Sequence, residues 1–133
     1  MKIVFLSGPI RGLSRQESMA WRIQADKLLK EKCETIHALR RREERETLPD
    51  PRIAVQRDKA DIARSDILLV NDTFENSSMI GTSMEVLYAH KMNKLVIIFG
   101  RAHEKDYWLG YHSHVTFDTL EEACSFILDS YYD

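Results

Sequence analysis

The chain has 133 residues, 44% of them hydrophobic and 30% charged, with a formal net charge of −2. That length fits a single domain over residues 1–133, and the balance is that of a globular chain rather than a disordered one. The small net charge gives no reason to expect a nucleic acid polymer as partner, and no apolar run approaches the roughly 20 residues that would span a membrane.

Lys2 to Leu6 (KIVFL) reads as a buried strand, stopped by Ser7-Gly8-Pro9. The chain enters this strand without a cleavable leader pattern. The expectation is therefore a cytoplasmic protein whose Cys33 and Cys124 stay reduced in or near the core. Ser14 and Glu17 form an S-x-x-E capping box, which predicts a helix with Met19, Trp21, Ala25, Leu28 and Leu29 on its apolar side. Cys33 to Leu39 (CETIHAL) is a weaker second strand. Arg40 to Arg52 is charged, closes on Pro49-Asp50-Pro51 and reads as a loop. Its mixed-sign run from Arg40 to Glu46 suits a solvated loop better than a nucleic-acid site.

Ile53 to Ser65 is predicted helical, and Ile67 to Val70 (ILLV) is a third buried strand. A polar loop covers Asn71 to Ile80, a helix Thr82 to Met92, and a fourth strand Leu95 to Phe99 (LVIIF). Arg101 to Ser113 is a long loop rich in aromatic and charged residues. Val115 to Phe117 is a short fifth strand, after which Asp118 and Glu121 cap a last helix running to about Tyr131.

Alternating strands and helices, with strands apolar on both faces, predict a three-layer α/β fold. It would be a doubly wound, flavodoxin-like or Rossmann-like sheet of about five mainly parallel strands. Such sheets bind ligands beyond the carboxyl ends of the strands, where the strand order reverses. The turns after the first and third strands lie at that edge. They carry Gly8-Pro9-Ile10-Arg11-Gly12 and the stretch from Asn71 to Glu85, so two separated segments converge on one crevice.

The first turn has two readings. Its glycines let backbone approach a ligand while Arg11 offers a forked donor to phosphate, or it is a tight strand-to-helix turn with a solvated arginine. Glu85, expected in the first turn of its helix, is either a nucleophile or base held ionised by the helix dipole, or a residue that only complements that dipole. The hydroxyls of Ser77, Ser78, Thr82 and Ser83 bind sugar or phosphate, or cap the helix. Asp58, Asp61 and Asp66 alternate with Arg57, Lys59 and Arg64 as on a solvated face, although Asp58 lies early enough in its helix to point back to the ligand edge. The five histidines show no ligand spacing, so neither a metal nor a cofactor is expected.

Taken together, "SGPIRG", "RDKADIARSDILLV" and "GTSMEVLYAHKMNKLVIIF" resemble the nucleoside 2-deoxyribosyltransferase superfamily, which includes the 2-deoxynucleoside 5-phosphate N-hydrolases. The resemblance covers most of residues 2–99, and its most specific part is Gly81, Met84, Glu85, Tyr88 and Ala89 after an aspartate-bearing helix. It implies that Glu85 is the nucleophile on an anomeric carbon and that Asp58 helps the base depart. It further implies that Ser7, Gly8, Pro9, Ile10, Arg11, Gly12, Ser78, Gly81 and Ser83 bind substrate. The implied activity is cleavage of the N-glycosidic bond of a (2-deoxy)nucleoside 5-monophosphate, releasing free base. Base exchange by a deoxyribosyltransferase is the alternative. Transferases usually carry an aspartate six residues before the glutamate, where this chain has Met79; the phosphate branch has a serine there, and the nearest here is Ser78. A cytokinin-activating type of phosphoribohydrolase has a similar Gly-Thr and glutamate spacing, but its glycine pair is missing here. A non-catalytic nucleotide-sensing module would use the same crevice. The resemblance also implies a homo-oligomer with shared active sites, for which the aromatic loop from Arg101 to His114 is the candidate contact.

Overall fold

The computed structural model describes residues 1–40 and 50–131, so the charged run predicted as a loop falls, after Arg40, outside the described residues. The strands are β1 (Lys2–Ser7), β2 (Cys33–Ile36), β3 (Ile67–Asn71), β4 (Leu95–Phe99) and β5 (Val115–Phe117), and all pair in parallel in the order β2-β1-β3-β4-β5. The predicted doubly wound sheet is therefore present. Its order reverses between β1 and β3, which are neighbours with Val4 opposite Ile67 and Ser7 opposite Val70.

The side-chain period of two sorts each strand between two cores. Val4, Leu6, Ile67, Leu69, Ile97 and Phe99 face α1 (Arg15–Leu29) and α5 (Leu120–Phe126). Phe5, Leu68, Val70, Val96 and Ile98 face α2 (Pro51–Ala63), α3 (Ile80–Lys91) and Leu109 of α4 (Tyr107–Tyr111). Both cysteines are buried and free. Among the described residues no helix is long and apolar enough to cross a membrane, and no group of three or more His, Cys, Asp or Glu is arranged to hold a metal.

Several boundaries differ from the expectations. β2 stops at Ile36, because the His37 Nδ1 accepts the Leu39 backbone N–H at 3.1 Å and turns the chain. α2 starts at Pro51 rather than Ile53: Asp50 is its N-cap and proline takes the first position, where the missing N–H costs nothing. α1 has the predicted Ser14–Glu17 box, but its buried side is Ser18, Trp21, Arg22, Ala25 and Leu29, with Leu28 exposed. The last helix is capped by Thr119 and Glu122, one residue later than expected, since Asp118 is engaged by Arg101. It ends at Phe126 in a wider turn over Ile127–Tyr131. The aromatic loop contains α4, five residues capped by Asp106.

The acids of α2 do not form a uniformly solvated face. Asp61 is buried and is paired with Arg40, Arg57 and Arg64, and Asp66, after the helix, accepts the Ile3 N–H at 2.8 Å and ties the turn before β3 to β1. Asp58, three residues before Asp61 on the same helix, is half-buried.

Candidate active site

A cleft of about 360 Å³ opens at the carboxyl ends of β1 and β3, at the reversal point. The turn after β1 supplies Gly8, Pro9, Ile10 and Arg11; α2 supplies Asp58; the start of α3 supplies Ser78, Gly81, Thr82 and Glu85. The two segments that the sequence expects to meet do meet. Ser7 is buried at the end of β1 and reaches the site through Glu85. Gly12, with a φ of +87° that favours glycine, is outside the lining and lets the chain turn into α1. Ser83 also lies outside the cleft: it faces a separate groove with Met84, Leu87, Trp108, Leu109 and His112.

The turn is tightly fitted. A side chain at Gly8 would put its Cβ 3.0 Å from the Trp21 ring and 3.2 Å from Asn71, so the backbone lies against both. Arg11 stands exposed at the rim. Met79 precedes α3 as its N-cap without a side-chain bond, and Ser77 bonds back to the Phe74 carbonyl instead. Ile80, Gly81 and Thr82 of this uncapped first turn line the cleft, an arrangement that suits an anion or a sugar hydroxyl.

Glu85 differs from its expected setting. Because α3 begins at Ile80, Glu85 lies in the second turn, one turn deeper than a residue that complements the helix dipole. The Ser7 hydroxyl donates to its Oε1 at 2.6 Å. Burial pushes the carboxyl up to about 7; the Ser7 hydrogen bond opposes this, the Asp58 charge adds to it, and Arg22 pulls it back down. The cleft thus sets two carboxyl groups, Glu85 and Asp58, from two helices in one cavity, the first being a basic and partly shielded carboxylate.

Arg22 is the cleft residue that the sequence reading misses. It is only 2% exposed, and its Nη1 and Nη2 donate to the carbonyls of Ser18 at 2.6 Å and Gly8 at 3.1 Å. Its guanidinium lies 4.6 Å from the Trp21 ring centre. A signal was available, since Ser18, Arg22, Ala25 and Leu29 recur at helical spacing and place an arginine on a face otherwise destined for the core.

α3 and α4 also carry exposed apolar side chains, Ile80 at the cleft and Met84, Tyr107, Trp108 and Tyr111 beyond it. Only Leu109 of α4 enters the core, so the aromatic segment is partly folded on its own domain and partly open.

No family model and no curated protein matches the sequence. Solved structures match its fold over nearly the whole chain. A 2-deoxyribosyltransferase from Leishmania mexicana superposes with a TM-score of 0.75 at 14% identity, over 98% of this chain and 99% of that one. A 2-deoxyribosyltransferase from Bacillus psychrosaccharolyticus gives 0.69 at 15% identity, over 90% and 88%. A CMP N-glycosidase from Clostridium botulinum gives 0.63 at 21% identity, over 98% and 99%. The chain therefore has the fold on which these nucleoside- and nucleotide-processing enzymes are built.

Proposed function

We propose that this chain is an N-glycosidase of the nucleoside 2-deoxyribosyltransferase superfamily, acting on a (2-deoxy)nucleoside 5-monophosphate. The observation that carries the reading is the pair Glu85 and Asp58 in one cleft, with Ser7 bonded to Glu85. Glu85 attacks the anomeric carbon, the bond to the base nitrogen breaks, and its electron pair leaves with the base. Asp58 takes up a proton from solvent as substrate binds and passes it to the departing nitrogen. The glycosyl ester on Glu85 is then opened by water, and the proton this water gives up returns to Asp58. A carboxyl near 7 is more basic than an ordinary glutamate, which favours attack once it is ionised.

Arg11 at the rim and the open first turn of α3 support a 5-phosphate as the second handle. That favours the nucleotide reading, in keeping with a neighbour that is a CMP N-glycosidase. Base exchange between deoxynucleosides is the second reading, favoured by the two neighbours that are 2-deoxyribosyltransferases. The exposed α3–α4 face supports a homo-oligomer, with neighbouring copies completing each other's sites.

Incubation with a panel of deoxynucleosides, nucleosides and their 5-monophosphates, with detection of free base, tests the proposal. Release from a monophosphate that vanishes in Glu85→Gln supports it. Base appearing only when a second base is added points to transfer. Nucleotide binding without turnover in the wild type would make the cleft a sensing site.

A further inference from the structure

Buried arginines are rare because the guanidinium stays charged and its five N–H groups need acceptors. Arg22 sits at the inner wall of the cleft, and its two strong bonds go to the neutral carbonyls of Ser18 and Gly8. These satisfy donors and leave the charge unneutralised. Its Nε has no partner among the described residues. The opposite charges that act on it are Glu85 on α3 and Asp58 on α2, which line the same cleft. The Gly8 carbonyl it holds belongs to the turn that presents Pro9, Ile10 and Arg11 to the same cavity. One side chain thus touches both the shape of the binding turn and the charge of the two acids.

We propose that Arg22 is a positioning residue: anchored by the Ser18 and Gly8 carbonyls, it is the built-in counter-charge that keeps Glu85 available as a carboxylate and fixes the Gly8–Arg11 turn. Two carboxylates in one small cavity repel, and the like charge of Asp58 favours the proton on Glu85. The other groups facing Glu85 are the Ser7 hydroxyl on β1 and Arg11 at the rim. Arg11 is exposed, so water screens it, whereas Arg22 acts through protein. The same charge acts on the strand-end side too: His37, after β2, is held down to about 4 by burial and then by Arg22, so it stays neutral and adds no competing cation.

The proposal rests on the glycosidase reading for its effect on rate, but its charge coupling is measurable without substrate. The experiment is a carboxyl NMR titration of glutamate-labelled protein, with the Glu85 signal assigned by its loss in Glu85→Gln. Arg22→Gln keeps a donor and removes the charge. Its Glu85 midpoint is expected to rise by roughly one pH unit or more above that of the wild type. The acid limb of kcat/KM should move with it, so that the loss at pH 6 exceeds the loss at pH 9 by about tenfold. Arg22→Lys keeps the charge and loses the fork; its Glu85 midpoint should stay near the wild-type value while KM rises and kcat holds. An unmoved midpoint in folded Arg22→Gln overturns the proposal. Should that variant not fold, Arg22→Lys decides: a raised midpoint, or an unchanged KM, overturns it. If the wild type cleaves no nucleotide, the functional reading fails, and the titrations still decide whether Arg22 governs Glu85.

Discussion

An ordinary glutamate titrates near 4.5, and in the cleft Glu85 titrates at about 7, with burial as the main cause. Between those values the folded protein holds more protons than the unfolded chain. Stability therefore falls as pH rises through this window, and the cost is complete above pH 7. The shift corresponds to roughly 3 kcal/mol. Glu85→Gln should thus melt higher than the wild type at pH 8, with the gap closing toward pH 5, while turnover disappears; an equal gap at both pH values would contradict the burial of this carboxyl. Arg11 makes a separate prediction. A charge-assisted contact of about 1.5–3 kcal/mol would favour monophosphates over nucleosides by roughly 10- to 150-fold in kcat/KM, and Arg11→Ala should erase most of that preference. At this scale the sequence made Glu85, Asp58 and the glycine turn visible through their spacing along the chain. Arg22 was hidden because a lone arginine on a charged helix looks solvated until the facing elements are in place.

Elements were legible where the physics is local. The strands stood out as short apolar runs, and Ser14–Glu17 announced α1. α4 was missed because five residues are too few to show a helical period. The start of α2 was missed because Asp50-Pro51 serves equally as a turn and as a cap followed by a first-position proline. α3 starts earlier than expected, and its uncapped end leads to a test. Gly81 lies in its first turn, and an added Cβ there would meet nothing within 4 Å. Gly81→Ala should stabilise the helix by about 0.5–1 kcal/mol, read as a higher melting temperature. The new methyl would stand at the mouth of the cleft, so KM for the nucleotide should rise. An unchanged KM would argue that substrate does not approach the backbone there.

At the scale of the whole molecule, the exposed face of α3 and α4 leads to a prediction about assembly. Trp108→Asp and Met84→Glu each put a charge on an apolar, exposed position and should leave the fold intact. Both should lower the sedimentation coefficient, and activity should fall in proportion if copies share sites; a wild type that sediments as a monomer would remove this reading. The strand order carries a different consequence, for how the molecule comes into being. β1 is made first, yet it lies inside the sheet and its partner β3 begins only at Ile67. Until that segment leaves the ribosome, β1 has one edge open and both faces apolar, a form prone to pair with another nascent chain. Cotranslational folding can complete the β1–β2 half early, but the cleft closes late, because its wall from α3 follows β3. A chain arrested before Ile67 should collect in inclusion bodies, whereas one completed through α5, which covers the last open part of the sheet, should engage chaperones only briefly.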